Sequence, residues 1–153
     1  MTSEFMFGLA ELQRLLRLYA DKQTARYGIT RAQWAVLAKL ERFEGMTQSD
    51  LAEQMDMQPI TLTRLVDRLC DNDLIERRSD PADRRVNRLF LRKPGRALAT
   101  KLAALRTEIT RTALGNMSRA EASQFVAQLT TIKDNIRDAL QDIESRTEDA
   151  NYG

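Results

Sequence analysis

The feature that most constrains this chain is a change of period. Apolar residues first recur at helical spacing, but residues 74–91 switch to a strand-like pattern interrupted by a turn. Leu74-Ile75-Glu76-Arg77-Arg78 and Val86-Asn87-Arg88-Leu89-Phe90-Leu91 are the two strand segments. Between them, Ser79-Asp80-Pro81-Ala82-Asp83-Arg84-Arg85 combines turn formers with two arginines. The segment predicts a β-hairpin with a basic tip inside an otherwise helical chain.

Helices flank the hairpin on both sides. Residues 4–27 carry Leu9, Leu12, Leu16 and Tyr19 at three-to-four spacing, widened by Leu15 and Leu18, and Gly28 is placed to stop that helix. Thr30 with Gln33 predicts a capping box for a second helix, whose apolar face is Trp34, Val36, Leu37 and Leu40 and which Gly45 ends. Thr47 with Asp50 predicts another box for a short third helix, with Leu51, Ala52 and Met55 inward. A turn at Asp56-Met57-Gln58 leads to a fourth helix, which opens on Pro59, buries Leu62, Leu65, Val66 and Leu69, and ends at Asn72-Asp73. After Pro94-Gly95 a fifth helix runs to about Ala113 through Leu98, Leu102, Leu105 and Ile109, and Gly115-Asn116 breaks it. Ser118 with Glu121 caps a last helix carrying Phe125, Leu129, Ile132, Ile136, Leu140 and Ile143, and residues 146–153 read as a frayed polar tail.

Composition excludes more than it assigns. The chain has no histidine and one cysteine, Cys70, which removes most catalytic triads, most zinc sites and any intrachain disulfide. No enzyme, metal or cofactor is expected. No apolar run reaches membrane-spanning length, and the start MTSEFMFGLAELQR lacks a signal-peptide layout, so a cytoplasmic protein is expected. Net charge is only +2, but its distribution is uneven. Residues 77–96 hold Arg77, Arg78, Arg84, Arg85, Arg88, Arg92, Lys93 and Arg96 against Asp80 and Asp83, whereas residues 31–76 are acidic on balance. Arginine suits phosphate forks and groove insertion better than lysine does.

Short helix, tight turn, amphipathic helix and hairpin, in that order, make a winged helix–turn–helix. The predicted class is mainly α, with a two-stranded wing and long terminal helices. The fourth helix buries one side and projects Gln58, Thr61, Arg64 and Arg68 from the other. Such a helix fits the major groove of double-stranded DNA, where arginine pairs with guanine and polar groups read other base edges. Thr47, Gln48 and Ser49 can donate to phosphate at the start of the third helix. Arg78 stands on the strand leading to the wing, and Arg84 and Arg85 can reach an A·T-rich minor groove from its tip. Winged helices also serve as protein–protein modules, but the polar groove face and the basic wing argue against that use here.

This constellation resembles the MarR/SlyA family of bacterial regulators. The likeness covers residues 5–145 and is strongest over MTQSDLAEQMDMQPITLTRLVDRLCDNDLIERRSDPADRRVNRLFL. The resemblance implies that Asp83 orients the wing arginines, that Arg85 enters the minor groove, and that Thr61, Thr63 and Arg64 face the major groove. It also implies a dimer built from the first and last helices, and a repressor relieved by small anions or by oxidation. Two positions depart from the family pattern. Asp73 stands where glycine is usual, though aspartate tolerates the left-handed turn. Leu91-Arg92 stands where a Leu-Thr pair is common.

These readings define one domain over residues 1–145. It has a DNA lobe at 30–93 with the helix–turn–helix at 47–72, and dimerisation helices at 4–27 and 95–145. The last helix, about 29 residues and roughly 43 Å long, exceeds what a winged-helix core can cover. Its stripe of Ile132, Ile136 and Leu140, and that of Leu9, Leu12 and Leu16, call for a second copy. Arg14, Arg17, Tyr19 and Trp34 are candidates for holding an aromatic anion, although Trp34 equally suits the core and the arginines a solvated face. Cys70 lies among Asp67, Asp71 and Asp73, which disfavour its thiolate, and a packing role is expected for it.

Overall fold

A computed structural model describes residues 1–151, with side chains to residue 147. The elements follow one another as α1 (Thr2–Ala25), α2 (Arg31–Arg42), α3 (Gln48–Gln54), α4 (Pro59–Asp71), β1 (Ile75–Ser79), β2 (Asn87–Leu91), α5 (Lys93–Leu114) and α6 (Arg119–Asn151). They form two compact units, divided between Ile109 and Thr110.

The first unit is built around one apolar centre. Val36, Leu37 and Leu40 of α2, Leu51 of α3, Leu62, Val66 and Leu69 of α4, Ile75, Leu89 and Leu102 are each at most 1% exposed. Local chemistry sets the helix starts that feed this centre. Gly28 turns the chain out of α1 at φ +69°. At α2 the predicted capping box forms: the Gln33 amide donates to Thr30 Oγ1 at 3.1 Å, and the Thr30 amide donates to Gln33 Oε1 at 2.9 Å. At α3 only half of the expected box forms. The Asp50 amide donates to Thr47 Oγ1 at 3.1 Å, and among the described residues the Asp50 side chain does not return a bond to the Thr47 amide. An aspartate is one methylene shorter than the Glu or Gln that completes a box. Asp56 makes the turn between α3 and α4 at φ +48°, and Pro59 opens α4 where its missing N–H does no harm.

Asp73 leaves α4 at φ +61°, the left-handed conformation expected for the residue replacing glycine. The hairpin pairs Ile75 with Leu91 and Ser79 with Asn87 in antiparallel register, each strand lying within one residue of its predicted start and end. A third rung was not predicted. The Gly45 amide donates to the Leu89 carbonyl at 2.9 Å, the Leu89 amide donates to the Met46 carbonyl at 3.0 Å, and Thr47 bridges to Arg88. The link is too short to show alternation, but it ties the start of α3 directly to the wing.

α5 starts earlier than expected. It takes in Lys93, Pro94 and Gly95 rather than following them, and Pro94 fits because first-turn amides need no helical partner. Gly95 is buried, and a Cβ there would lie 1.8 Å from the Leu74 carbonyl oxygen. That same carbonyl accepts the Arg92 amide at 2.9 Å, so the hairpin closes directly onto α5. Ala99, Leu102 and Leu105 then carry α5 into the centre. The apolar side of α1 is left uncovered, with Phe5, Leu9, Leu12 and Leu16 at 38–46% exposure.

The second unit is dominated by α6. Its capping box forms, with the Ser118 amide donating to Glu121 Oε2 at 2.8 Å and the Glu121 amide to Ser118 Oγ at 3.3 Å. Ile132 is half-buried, while Ile136 and Leu140 are more than half exposed. The helix continues to Asn151 rather than ending near 145. The last two residues of the expected frayed tail lie outside the described residues. Among the described residues, no helix is long and apolar enough to cross a membrane.

Gly95→Ala tests the closest of these approaches. It should lower stability by about 1–3 kcal/mol, as overpacking does, read as an earlier urea midpoint at unchanged slope.

Candidate nucleic-acid interface

The buried side of α4 decides which of its residues face out. With Leu62, Val66 and Leu69 inward, Gln58, Thr61, Arg64 and Arg68 are exposed, as the sequence predicts. Neither Arg64 nor Arg68 has a recorded hydrogen bond or ion pair among the described residues, so both guanidinium groups are available to a ligand. Thr47 is half-buried as the cap of α3, and Ser49 is exposed beside it.

Gln48 and Thr63 sit differently. Both were expected to face DNA, yet both are half-buried and bonded within the protein. Gln48 Nε2 donates to Thr63 Oγ1 at 2.9 Å, and Thr63 Oγ1 donates to the Pro59 carbonyl at 2.9 Å. Arg77 joins them from β1. Its Nε donates to Gln48 Oε1 at 3.1 Å, and its Nη2 donates to Asp67 at 2.6 Å and to the Thr63 carbonyl at 3.4 Å. One guanidinium thus connects α3, α4 and the wing strand. Arg77 was counted in the sequence only as part of a basic run. Its sole clue was Asp67, which is far from it in the chain.

Cys70 lies against this network, with Arg77 Nη1 4.0 Å from its sulfur. Burial pushes the thiol pKa up, and Asp67, Asp71 and Glu76 add to the rise against the pull of Arg77. The direction matches the sequence expectation, although burial is the leading cause and Asp73 is not among the others.

The wing is held at its root rather than at its tip. Asp80 is only 8% exposed and accepts from Arg88 and, at 2.7 Å, from the Ala82 amide. Arg88 also donates to the Gly45 carbonyl at 2.9 Å. These two donors hold the Asp80 carboxyl below the usual aspartate range, with Arg88 the larger cause. Asp83 accepts the Arg85 amide at 3.0 Å and lies 3.9 Å from Arg85 Nε, which fits the orienting part implied by the resemblance.

The basic run is therefore mostly neutralised from within. Arg77 pairs with Asp67, Arg78 with Glu76, Arg88 with Asp80, Arg92 with Asp73 and Arg96 with Glu44. Arg78 also stacks over Phe90, 4.1 Å from the ring centre, so it supports the strand rather than standing ready for DNA. Arg84 has no partner among the described residues, and the Arg85 side chain is 95% exposed. Within this run and α4, the arginines left without a close acid partner are thus at the wing tip and on the outer side of α4, with Lys93 at the start of α5 also lacking one among the described residues. Arg85 shares an open cleft of about 410 Å³ with Gln48, Ser49 and Pro59, so the tip stands beside the starts of α3 and α4.

The four residues proposed for an aromatic anion sit in different settings. Trp34 is buried in the core with its indole N–H unpartnered, and Arg14 is paired with Glu11 at 2.8 Å on an exposed surface. Arg17 is exposed and Tyr19 half-buried, and none of the four lines a described cavity.

Comparison with known proteins agrees with this architecture. The model of the MarR family matches residues 29–86. The uncharacterized HTH-type transcriptional regulator YsmB of Bacillus subtilis is 33% identical over 136 residues, covering 84% of this chain and 93% of its own length. The HTH-type transcriptional repressor MdtR of the same organism is 32% identical over 93 residues, 61% of this chain and 60% of its own. Among solved structures, a MarR transcriptional regulator from Methanosarcina mazei matches with a TM-score of 0.81 at 23% identity, over 90% of this chain and 99% of that one. MepR of S. aureus, solved with DNA, matches at 0.75 and 24%, over 86% of this chain and 97% of that one.

The wing root has a testable pH response. A carboxyl whose folded pKa is lowered stabilises the wing above the ordinary aspartate value of about 3.9 and stops doing so as pH falls through the lower folded value. Amide NMR signals of residues 80–88 should therefore hold steady down to about pH 4 and shift below it. In Asp80→Asn that step should vanish, and the wing signals should broaden at neutral pH.

Proposed function

Because the chain belongs to the MarR family of transcriptional regulators, we propose that it binds a near-palindromic DNA operator as a homodimer in the cytoplasm and represses transcription there. The observation that carries the reading is the placement of uncommitted arginine. Arg64 and Arg68 on α4 and Arg84 on the wing have no acid partner among the described residues, and Arg85 keeps only a long 3.9 Å approach to Asp83 at 95% exposure, while their neighbours in sequence are paired with acids. In this reading α4 enters the major groove, where Arg64 and Thr61 meet base edges, flanked by Gln58 and Arg68. Thr47, Gln48 and Ser49 lie against phosphate at the start of α3. Arg85, steadied by Asp83, enters the neighbouring minor groove beside Arg84. The Gln48 side chain also holds α3 to α4 through Thr63, and Thr63 acts chiefly in that way.

Support for the dimer comes from the uncovered apolar sides of α1 and α6, at Leu9, Leu12, Leu16, Ile136 and Leu140, with Ile132 half-buried. A two-fold dimer places two recognition helices roughly 34–36 Å apart, one turn of B-DNA, which is why the operator should be near-palindromic. The repressor role is inferred from MdtR, a transcriptional repressor of 32% identity.

Selection from random duplex DNA should recover a palindrome with the wild-type protein. Arg64→Ala should relax base preference in each half-site by on the order of 1–3 kcal/mol, whereas Arg85→Ala should lose affinity mainly through the A·T-rich flanks. Binding should weaken steeply with salt through counterion release, which a protein–protein module would not show.

The dimer has its own check. Leu12→Glu and Ile136→Glu should shift the sedimentation coefficient from dimer to monomer. A wild-type monomer at micromolar concentration that still binds its operator tightly would defeat the dimer.

A further inference from the structure

We propose that Ile60 reads the 5-methyl group of a thymine in each half-site. The assignment rests on the DNA-binding reading above and names a contact within it. Ile60 occupies the first turn of α4 and is 61% exposed. Between Ile29 and Ile109 the other large exposed hydrophobic is Phe43, whose ring is covered by the Arg42 guanidinium at 5.3 Å. Ile60 is therefore the bare apolar group of the DNA-facing unit over that span.

Its direction follows from the helix. Leu62, Val66 and Leu69 fix the inward side of α4. At roughly 100° per residue, Ile60 and Arg64 lie on either side of the opposite direction, each within about 30° of it. They are one turn apart on the same row, with Thr61 to one side. A helix that enters the major groove leads with its N-terminal residues, so Ile60 arrives together with Arg64.

Neither folding nor solubility calls for isoleucine at this place. A single exposed apolar residue is ordinary, and exposure alone assigns nothing. A β-branched residue is, however, a weaker helix former than alanine or a straight chain, and here no core contact offsets that. What isoleucine offers is a stiff apolar knob with few rotamers. On the major-groove edges of the four unmodified base pairs, the apolar feature is the thymine methyl. An apolar knob in that groove therefore gains by meeting thymine and loses by desolvating the polar edges of other bases. Side chains at i and i+4 stand about 6 Å apart, so the thymine should lie within about two base pairs of the base that Arg64 reads.

The test removes the methyl from the DNA and the knob from the protein. Each thymine of the selected operator is replaced in turn by deoxyuridine, in both half-sites together. Affinities are measured for wild type, Ile60→Val and Ile60→Ala, all surface changes that leave the core intact. The expected result is one position per half-site where losing the methyl weakens wild-type binding about fourfold for each methyl removed, within two base pairs of the Arg64 contact. Ile60→Ala should bind the two duplexes equally, and Ile60→Val should retain part of the difference. Equal methyl sensitivity in wild type and Ile60→Ala would overturn the assignment, because another residue would then read the methyl. So would a wild type indifferent to every substitution. A wild type that binds no duplex at all would instead overturn the DNA-binding reading, and this contact with it.

Discussion

The junction of α3, α4 and the wing centres on the Arg77 guanidinium. It lies on the first wing strand, yet its bonds run to Gln48 of α3 and to Thr63 and Asp67 of α4. A single planar cation with a rigid fork of donors can meet partners on three elements at once, which an ammonium on a flexible stem does less well. The side chain is 27% exposed and its Asp67 partner 52%, so solvent screens the pair and its Coulomb energy is modest. Its importance is geometric. It joins α3, α4 and the wing strand at one point, beside the Gly45, Met46 and Leu89 backbone bonds that also tie the wing to the start of α3.

The second constraint is where positive charge is left over. A run of arginine in one short segment reads as a basic patch, but the folded chain brings Asp67, Glu76, Asp73 and Glu44 onto it. The surplus that remains is small and placed, at the wing tip and along the outer side of α4. A diffuse patch would bind any phosphate backbone, whereas a few placed arginines can favour one register of the duplex. The Asp80 and Arg88 pair serves this placement from below, holding the root of the wing so that its tip can stay free.

Much of this was legible in the chain. The change of period between α4 and the hairpin, the Thr30 and Ser118 boxes, Pro59 at a helix start and the left-handed Asp73 are all local signals, and each lies where the structure has it. The misreadings share one cause. The start of α5 was placed after Pro94-Gly95 because proline and glycine usually punctuate helices. Here proline is tolerated in the first turn, and glycine is demanded by the Leu74 carbonyl, a contact made through space. The bridge from Thr47 to Arg88 and the internal use of Gln48 and Thr63 escaped for the same reason.

The sequence by itself determined the order and type of the elements, the inward side of α4 and the residues exposed on its outer side. Those properties follow from periodicity and capping, which act within a few residues. Tertiary structure alone decided which arginines are free. That outcome depends on which carboxylates fold back against them, and ion pairs form between groups that are near in space whatever their distance along the chain. The hairpin that first marked this chain is thus basic in sequence along its whole length, and basic in the folded protein chiefly at Arg84 and Arg85.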